Sequence, residues 1–171
     1  GVQGAASSGA NTSTLVNAAG HTIRGSGTLQ QLVLDNAGTF TVTNAITLDD
    51  VKAGGTGIYN VDAGATLTLT NGSILNNSVL GIATGATLTL TNSTVLNTTI
   101  NGTSGAIAGT GGTLQDVTTT GTLTLGSGST SSTTIAGTLT NNGTLTFNFD
   151  NSNQTSGVID TRLFKSEERR V

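Results

Sequence analysis

The sequence of 171 residues contains no cysteine, proline, methionine or tryptophan, and charged residues make up only 9% of it. The absence of cysteine excludes a disulfide framework and any metal or redox site built on thiolates. The absence of proline is typical of a chain whose strands lie mostly inside sheets, where each backbone N–H is needed for hydrogen bonding. No apolar run approaches the ~20 residues that a membrane-spanning helix needs.

The few charges are unevenly distributed along the chain. Before Asp160 the basic residues are Arg24 and Lys52 alone, against six aspartates. Two separated cations cannot form the basic stripe that follows a phosphate backbone, so we expect no nucleic-acid partner. Four basic residues and two glutamates are crowded into the segment 161–171, which differs in character from the rest of the chain.

An exact internal repeat organises the middle of the sequence. The segment Gly64–Asn71 returns unchanged as Gly85–Asn92, 21 residues later. Within each copy threonine and leucine alternate, which predicts a β-strand with one buried face. Identical strands at this spacing predict a solenoid whose coils stack in register. Polar, weakly charged chains are often disordered, but such regular spacing of apolar residues indicates an ordered structure.

The same pattern extends the solenoid over most of the chain. Thr39–Asn44 matches the repeated strand, and the larger distance to the next copy predicts an enlarged loop at Lys52–Gly57. We therefore predict an all-β parallel β-helix over residues 1–160, with roughly six to seven coils of about 20 residues. For the segment 161–171 two interpretations stay open: a short helix that caps the end of the stack, or a charged tail outside the fold.

Stacking also predicts rows of identical polar side chains. Asparagines at strand ends are expected to bond along the axis in two rows: Asn44, Asn71 and Asn92, and separately Asn76 with Asn97. Threonines are expected to form a flat outward ladder: Thr39, Thr41 and Thr43, then Thr66, Thr68 and Thr70, then Thr87, Thr89 and Thr91.

Groups that could perform chemistry are sparse. Asp49 and Asp50 are the only adjacent carboxylates, and we interpret them, with the nearby Lys52, as part of a solvated loop. His21 is the single histidine and is expected on a surface turn. Gly54–Asp62 resembles a calcium-binding nonapeptide but carries Tyr59 where an aspartate is required. The sequence thus predicts no catalytic, cofactor-binding or metal-ligating residue, and no enzyme activity.

Two segments carry a family resemblance. Val16–Leu29 and Gly85–Leu90 resemble the degenerate repeats of secreted bacterial right-handed parallel β-helices, namely filamentous-haemagglutinin-like exoproteins, autotransporter passengers and giant adhesins. The resemblance implies a right-handed helix, export, and display at the bacterial cell surface.

The resulting hypothesis is a non-catalytic structural or adhesive segment that makes shallow contacts with host or bacterial surface glycans or proteins. Two alternatives remain. One is a tailspike-like domain that binds or cleaves glycans, and the other is a self-assembling solenoid, joined end to end, or an ice-binding one.

Overall fold

The computed structural model describes residues 2–3, 13–126 and 131–148, in which every pair of neighbouring strands is parallel. The first seven strands are β1 Val2–Gln3, β2 Ser13–Asn17, β3 Thr22–Gln30, β4 Leu32–Asn36, β5 Thr39–Asp49, β6 Lys52–Gly54 and β7 Ile58–Val61. The remaining eight are β8 Thr66–Thr70, β9 Ile74–Asn76, β10 Val79–Ile82, β11 Thr87–Leu90, β12 Thr94–Leu96, β13 Thr99–Ala108, β14 Thr110–Leu125 and β15 Ser132–Phe147.

The strands form three faces that run the length of the stack. Face 1 comprises β2, β4, β6, β9, β12 and the first parts of β14 and β15. Face 2 comprises the first parts of β3, β5 and β13, all of β7 and β10, and the middle of β14 and β15. Face 3 comprises β1, β8, β11 and the last parts of the long strands. Seven coils spaced ~4.8 Å apart give a described rod roughly 30 Å long.

The predicted parallel solenoid is confirmed at its most specific point. Leu67 pairs directly with Leu88, and both side chains are fully buried. Ile46 lies one coil before this pair and Ile107 one coil after it, so an aliphatic column runs through the stack. Each coil therefore covers the apolar side chains of its neighbours, which no coil could bury alone.

The alignment of Thr39–Asn44 with the repeated strand is wrong. Thr39 pairs with Ile58 on face 2, whereas the strand that precedes Thr66–Thr70 on face 3 is Ala45–Asp49. Ala45 lies 21 residues before Thr66, so the repeat length is preserved without an enlarged loop. Accordingly, part of the predicted loop is the short strand β6 on face 1.

The predicted asparagine rows are only partly correct. Asn71 and Asn92 both adopt left-handed backbone angles (φ 54° and 49°) at the corner between face 3 and face 1, as expected for this residue type. The predicted bond between their amides is not formed, because Asn71 Nδ2 donates to Asp49 instead. Asn44 does not belong to their row, because it lies exposed within β5. Asn97 has the same left-handed geometry as Asn77, whereas Asn76 pairs with Leu96.

The stack changes at its last described coil. Buried aliphatic positions of the earlier coils are followed in β15 by half-buried ones, such as Leu139 and Leu145. The outer edge of β15 has no further strand partner among the described residues. The predicted tail or cap at 161–171 lies outside the described residues.

Candidate functional site: the outer faces of the coils

A buried amide pair near the first coils was not found from the sequence. Asn17 Nδ2 donates to Asn36 Oδ1 (2.7 Å) and also to the Thr39 carbonyl (3.0 Å). Asn36 Nδ2 donates in turn to the Ile58 carbonyl (3.2 Å). Because both side chains are buried, breaking these bonds would leave polar atoms unsatisfied, and the pair ties the corners of successive coils together. The role of this amide pair is structural. The residues that flank Asn17 and Asn36 are those that flank asparagines in ordinary turns, so the local sequence does not distinguish the pair.

Tyr59 is the only tyrosine and is fully buried. Its hydroxyl donates to the Gly54 carbonyl (3.1 Å), and its ring lies 5.5 Å from the ring of Phe40 in a tilted arrangement. Burial raises the pKa of the Tyr59 hydroxyl far above its ordinary value, the hydrogen bond from Asn36 opposes this only in part, and the negative charge of Asp35 adds to the rise. Tyr59 therefore anchors the Gly54–Asp62 segment as a core residue.

The adjacent carboxylates are held by separate structural bonds. Asp49 accepts hydrogen bonds from Gln30 Nε2 (2.8 Å) and Asn71 Nδ2 (2.6 Å), its neighbours one coil away on each side. Asp50 has a left-handed backbone (φ 50°) at the corner, and its carboxylate lies 3.6 Å from Lys52 Nζ. Both residues lie at a corner of the rod, where they link coils.

Other predicted surface positions lie where expected. His21 is exposed, and its backbone N–H closes a turn onto the Ala18 carbonyl (3.1 Å). In the described coils no group of three or more His, Cys, Asp or Glu side chains is arranged to hold a metal ion.

Face 3 carries the threonine ladder, but not with all the predicted members, because Thr39 and Thr41 pair with Ile58 and Asn60 on face 2. On face 3, Thr66 pairs with Thr87, and Ala45 and Ala106 interrupt this row on both sides. The second row spans four coils: Thr28, Thr47, Thr68 and Thr89. These six threonine hydroxyls make no hydrogen bond within the described part of the protein. The face is thus a small lattice of methyl and hydroxyl groups open to solvent.

Face 2 has a different and less regular surface. Ile58 and Val79 pair with each other and point outward, with 45% and 36% of their surface exposed. Beside them the next outward row contains Asn60, Gly81 and Asn101 on three successive coils. We call these five residues the Gly81 notch, because the middle coil has no side chain between two amides. Sequence reasoning missed this site, because isoleucine and valine at positions 58 and 79 have the residue types of core positions.

The chain has no match among protein-family models, curated proteins or solved structures. Within the described coils no helix is long and apolar enough to cross a membrane.

Proposed function

We propose that this chain is a non-catalytic structural and adhesive segment of a secreted or surface-displayed bacterial protein. The observation that carries the proposal is the unbroken parallel stack of seven coils whose outer faces are mostly threonine, asparagine and other small residues. Such a stack is stiff along its axis, because every coil is hydrogen-bonded to its neighbours, and it offers long shallow surfaces. The bacterial and secreted character rests on the family resemblance of Val16–Leu29 and Gly85–Leu90.

The distribution of carboxylates favours this role over glycan cleavage. A glycosidase needs two carboxyl groups flanking the scissile bond, about 5–10 Å apart. Here Asp49 and Asp50 are engaged with Gln30, Asn71 and Lys52 at a corner. Asp116 lies at a different corner and accepts a hydrogen bond from the Thr138 backbone (2.9 Å). These three carboxylates are engaged with neighbouring residues, whereas a general acid would have to be free to reach the substrate.

Two measurements test the proposal. Beads coated with the chain should attach to bacterial or host cells, and incubation of the chain with polysaccharides should release no reducing ends. Attachment no stronger than that of uncoated beads would contradict the adhesive role. Release of reducing ends by the wild type that is lost in Asp49→Asn would favour the enzyme alternative.

An ice-binding role is a second candidate, supported by the threonine lattice of face 3. Threonines of neighbouring coils lie ~4.8 Å apart along the axis, and alternate threonines of one strand lie ~6.8 Å apart. This array would present unbonded hydroxyls to ordered water. Thermal hysteresis measured on the wild-type chain and on Thr68→Val decides this candidate. Hysteresis that Thr68→Val abolishes would support it, and no hysteresis in the wild type would rule it out.

A further inference from the structure

We infer that the Gly81 notch on face 2 is a binding site for a neutral saccharide. The inference rests on the proposed adhesive function and assigns it a place and a ligand class. The fold does not require a glycine at position 81.

Gly81 has no conformational reason to be glycine. Its φ lies outside the left-handed region in which other residues are strained. A Cβ added there would lie 3.0 Å from the side-chain Oδ1 of Asn60, a tight contact that the flexible amide can relieve by rotating, and 3.8 Å from the Tyr59 carbonyl. By contrast, a Cβ at Gly57 or Gly143 would lie 2.2 or 2.1 Å from a backbone carbonyl of the neighbouring coil.

A glycine inside an exposed strand weakens the strand, because it adds backbone entropy and packs no side chain. Where neither φ nor crowding requires it, the remaining reason is that something else approaches the backbone closely. Gly81 lies in the middle of the row, so an approaching group would be flanked by Asn60 on one coil and by Asn101 on the next.

The side chains around the notch define the chemistry of the ligand. The Asn60 amide makes no hydrogen bond within the described part of the protein and offers two donors and an acceptor. Asn101 Oδ1 accepts from Thr120 Oγ1 (2.5 Å), which orients its amide and leaves the nitrogen available. Two amides about 9.6 Å apart, two strand spacings, match a ligand with hydroxyl groups on opposite edges.

The apolar pair provides the second half of the site. Ile58 and Val79 are the only exposed large hydrophobic side chains of the described coils that contact one another across a strand pair; the third, Val16, is on face 1. Ligand sites combine an apolar lining with a few fixed polar groups that orient the ligand. A pyranose ring has C–H groups on its face and hydroxyls at its rim, so it fits this arrangement.

Charge selects a neutral sugar over an acidic one. The described coils contain two cations. Arg24 lies on face 2, three coils before Gly81. Lys52 lies on another face, where its Nζ donates to the Gly72 carbonyl and pairs with Asp50. Asp62 follows β7 directly and adds a negative charge near Asn60. A carboxylate-bearing glycan would therefore find repulsion and no counter-ion.

The test is binding of the full chain to an array of neutral and sialylated oligosaccharides, with Gly81→Val as the filling variant. We expect the wild type to bind neutral glycans and Gly81→Val to lose at least tenfold in signal. Its melting temperature should be unchanged or higher, because valine suits an exposed strand. Thr68→Val introduces the same residue on face 3, outside the notch, and as the control it should bind as the wild type does.

A second variant keeps the test independent of how valine packs at position 81. Asn60→Thr restores the residue type found one coil earlier at Thr41, and it should weaken binding without lowering the melting temperature. Equal binding by wild type and Gly81→Val, or no binding of any neutral glycan by the wild type, would overturn the inference. Equal attachment of beads coated with the wild type and with Gly81→Val to cells would keep the adhesive function while overturning the notch, so the two proposals fail separately.

Discussion

Leu88 lies at the centre of the stack, and its replacement by alanine is the most informative single perturbation of the fold. Its side chain is fully buried, with Leu67 of the preceding coil and Ile107 of the following coil in register with it. Removal of three carbon atoms forfeits about 0.8 kcal/mol each in transfer free energy. The cavity adds to this loss because both covering coils are pinned by their own hydrogen bonds. We expect the free energy of unfolding to fall by about 3–4 kcal/mol.

Two control variants separate burial from position in the chain. Thr89→Ala changes the neighbouring outward residue and should alter stability by at most about 0.5 kcal/mol. Leu145→Ala makes the same chemical change in the last described coil, where the side chain is only half-buried, and should cost about 1–1.5 kcal/mol. The assay is urea denaturation followed by circular dichroism, with midpoints compared at constant slope. A Leu88→Ala midpoint equal to that of Thr89→Ala would refute the covered aliphatic column.

The other predictions concern the buried polar groups and one corner. Tyr59→Phe should lower stability by about 1 kcal/mol, because the Gly54 carbonyl loses its partner. In the wild type, ultraviolet titration of this single tyrosine should show no ionisation at its ordinary pKa. Since the folded pKa is raised, the stability contribution is present below pH ~10 and is lost progressively as pH rises beyond that value. Asn36→Ala should cost about 2–3 kcal/mol in urea denaturation, because it leaves Asn17 Nδ2 with one acceptor fewer and removes the bond to the Ile58 carbonyl. Asn92→Gly should be nearly neutral and Asn92→Ala should cost about 1 kcal/mol, since alanine is strained at a φ of 49°; equal midpoints for these two variants would contradict the corner geometry.

The strand pattern and the stacking of the perfect repeat were predictable, because alternation of leucine and threonine determines which side of a strand is buried. The face to which a strand belongs was not. All three faces use the same alternation, so Thr39–Asn44 and Ala45–Asp49 look equally suitable as partners of Thr66–Thr70. Only the hydrogen-bond register separates them, and that register depends on corner residues such as Asp50.

The surface and the buried amides were less accessible to sequence reasoning. Asn17 and Asn36 point inward, although asparagine in such a composition suggests a turn. Ile58 and Val79 point outward, although their residue types suggest the core. Whether Gly81 is required by the backbone depends on its φ and on the atoms of the neighbouring coil, which no local sequence pattern reports.

The register of the coils can be measured directly, because the chain contains no cysteine of its own. Thr68 and Thr89 pair on face 3, so a Thr68→Cys/Thr89→Cys variant places two thiols on strands ~4.8 Å apart, within reach of a disulfide. Thr41 lies on face 2, and a Thr41→Cys/Thr68→Cys variant should not cross-link. Rapid oxidation of the first pair and none of the second is the predicted result. Cross-linking of the second pair but not the first would contradict the stacking of these coils.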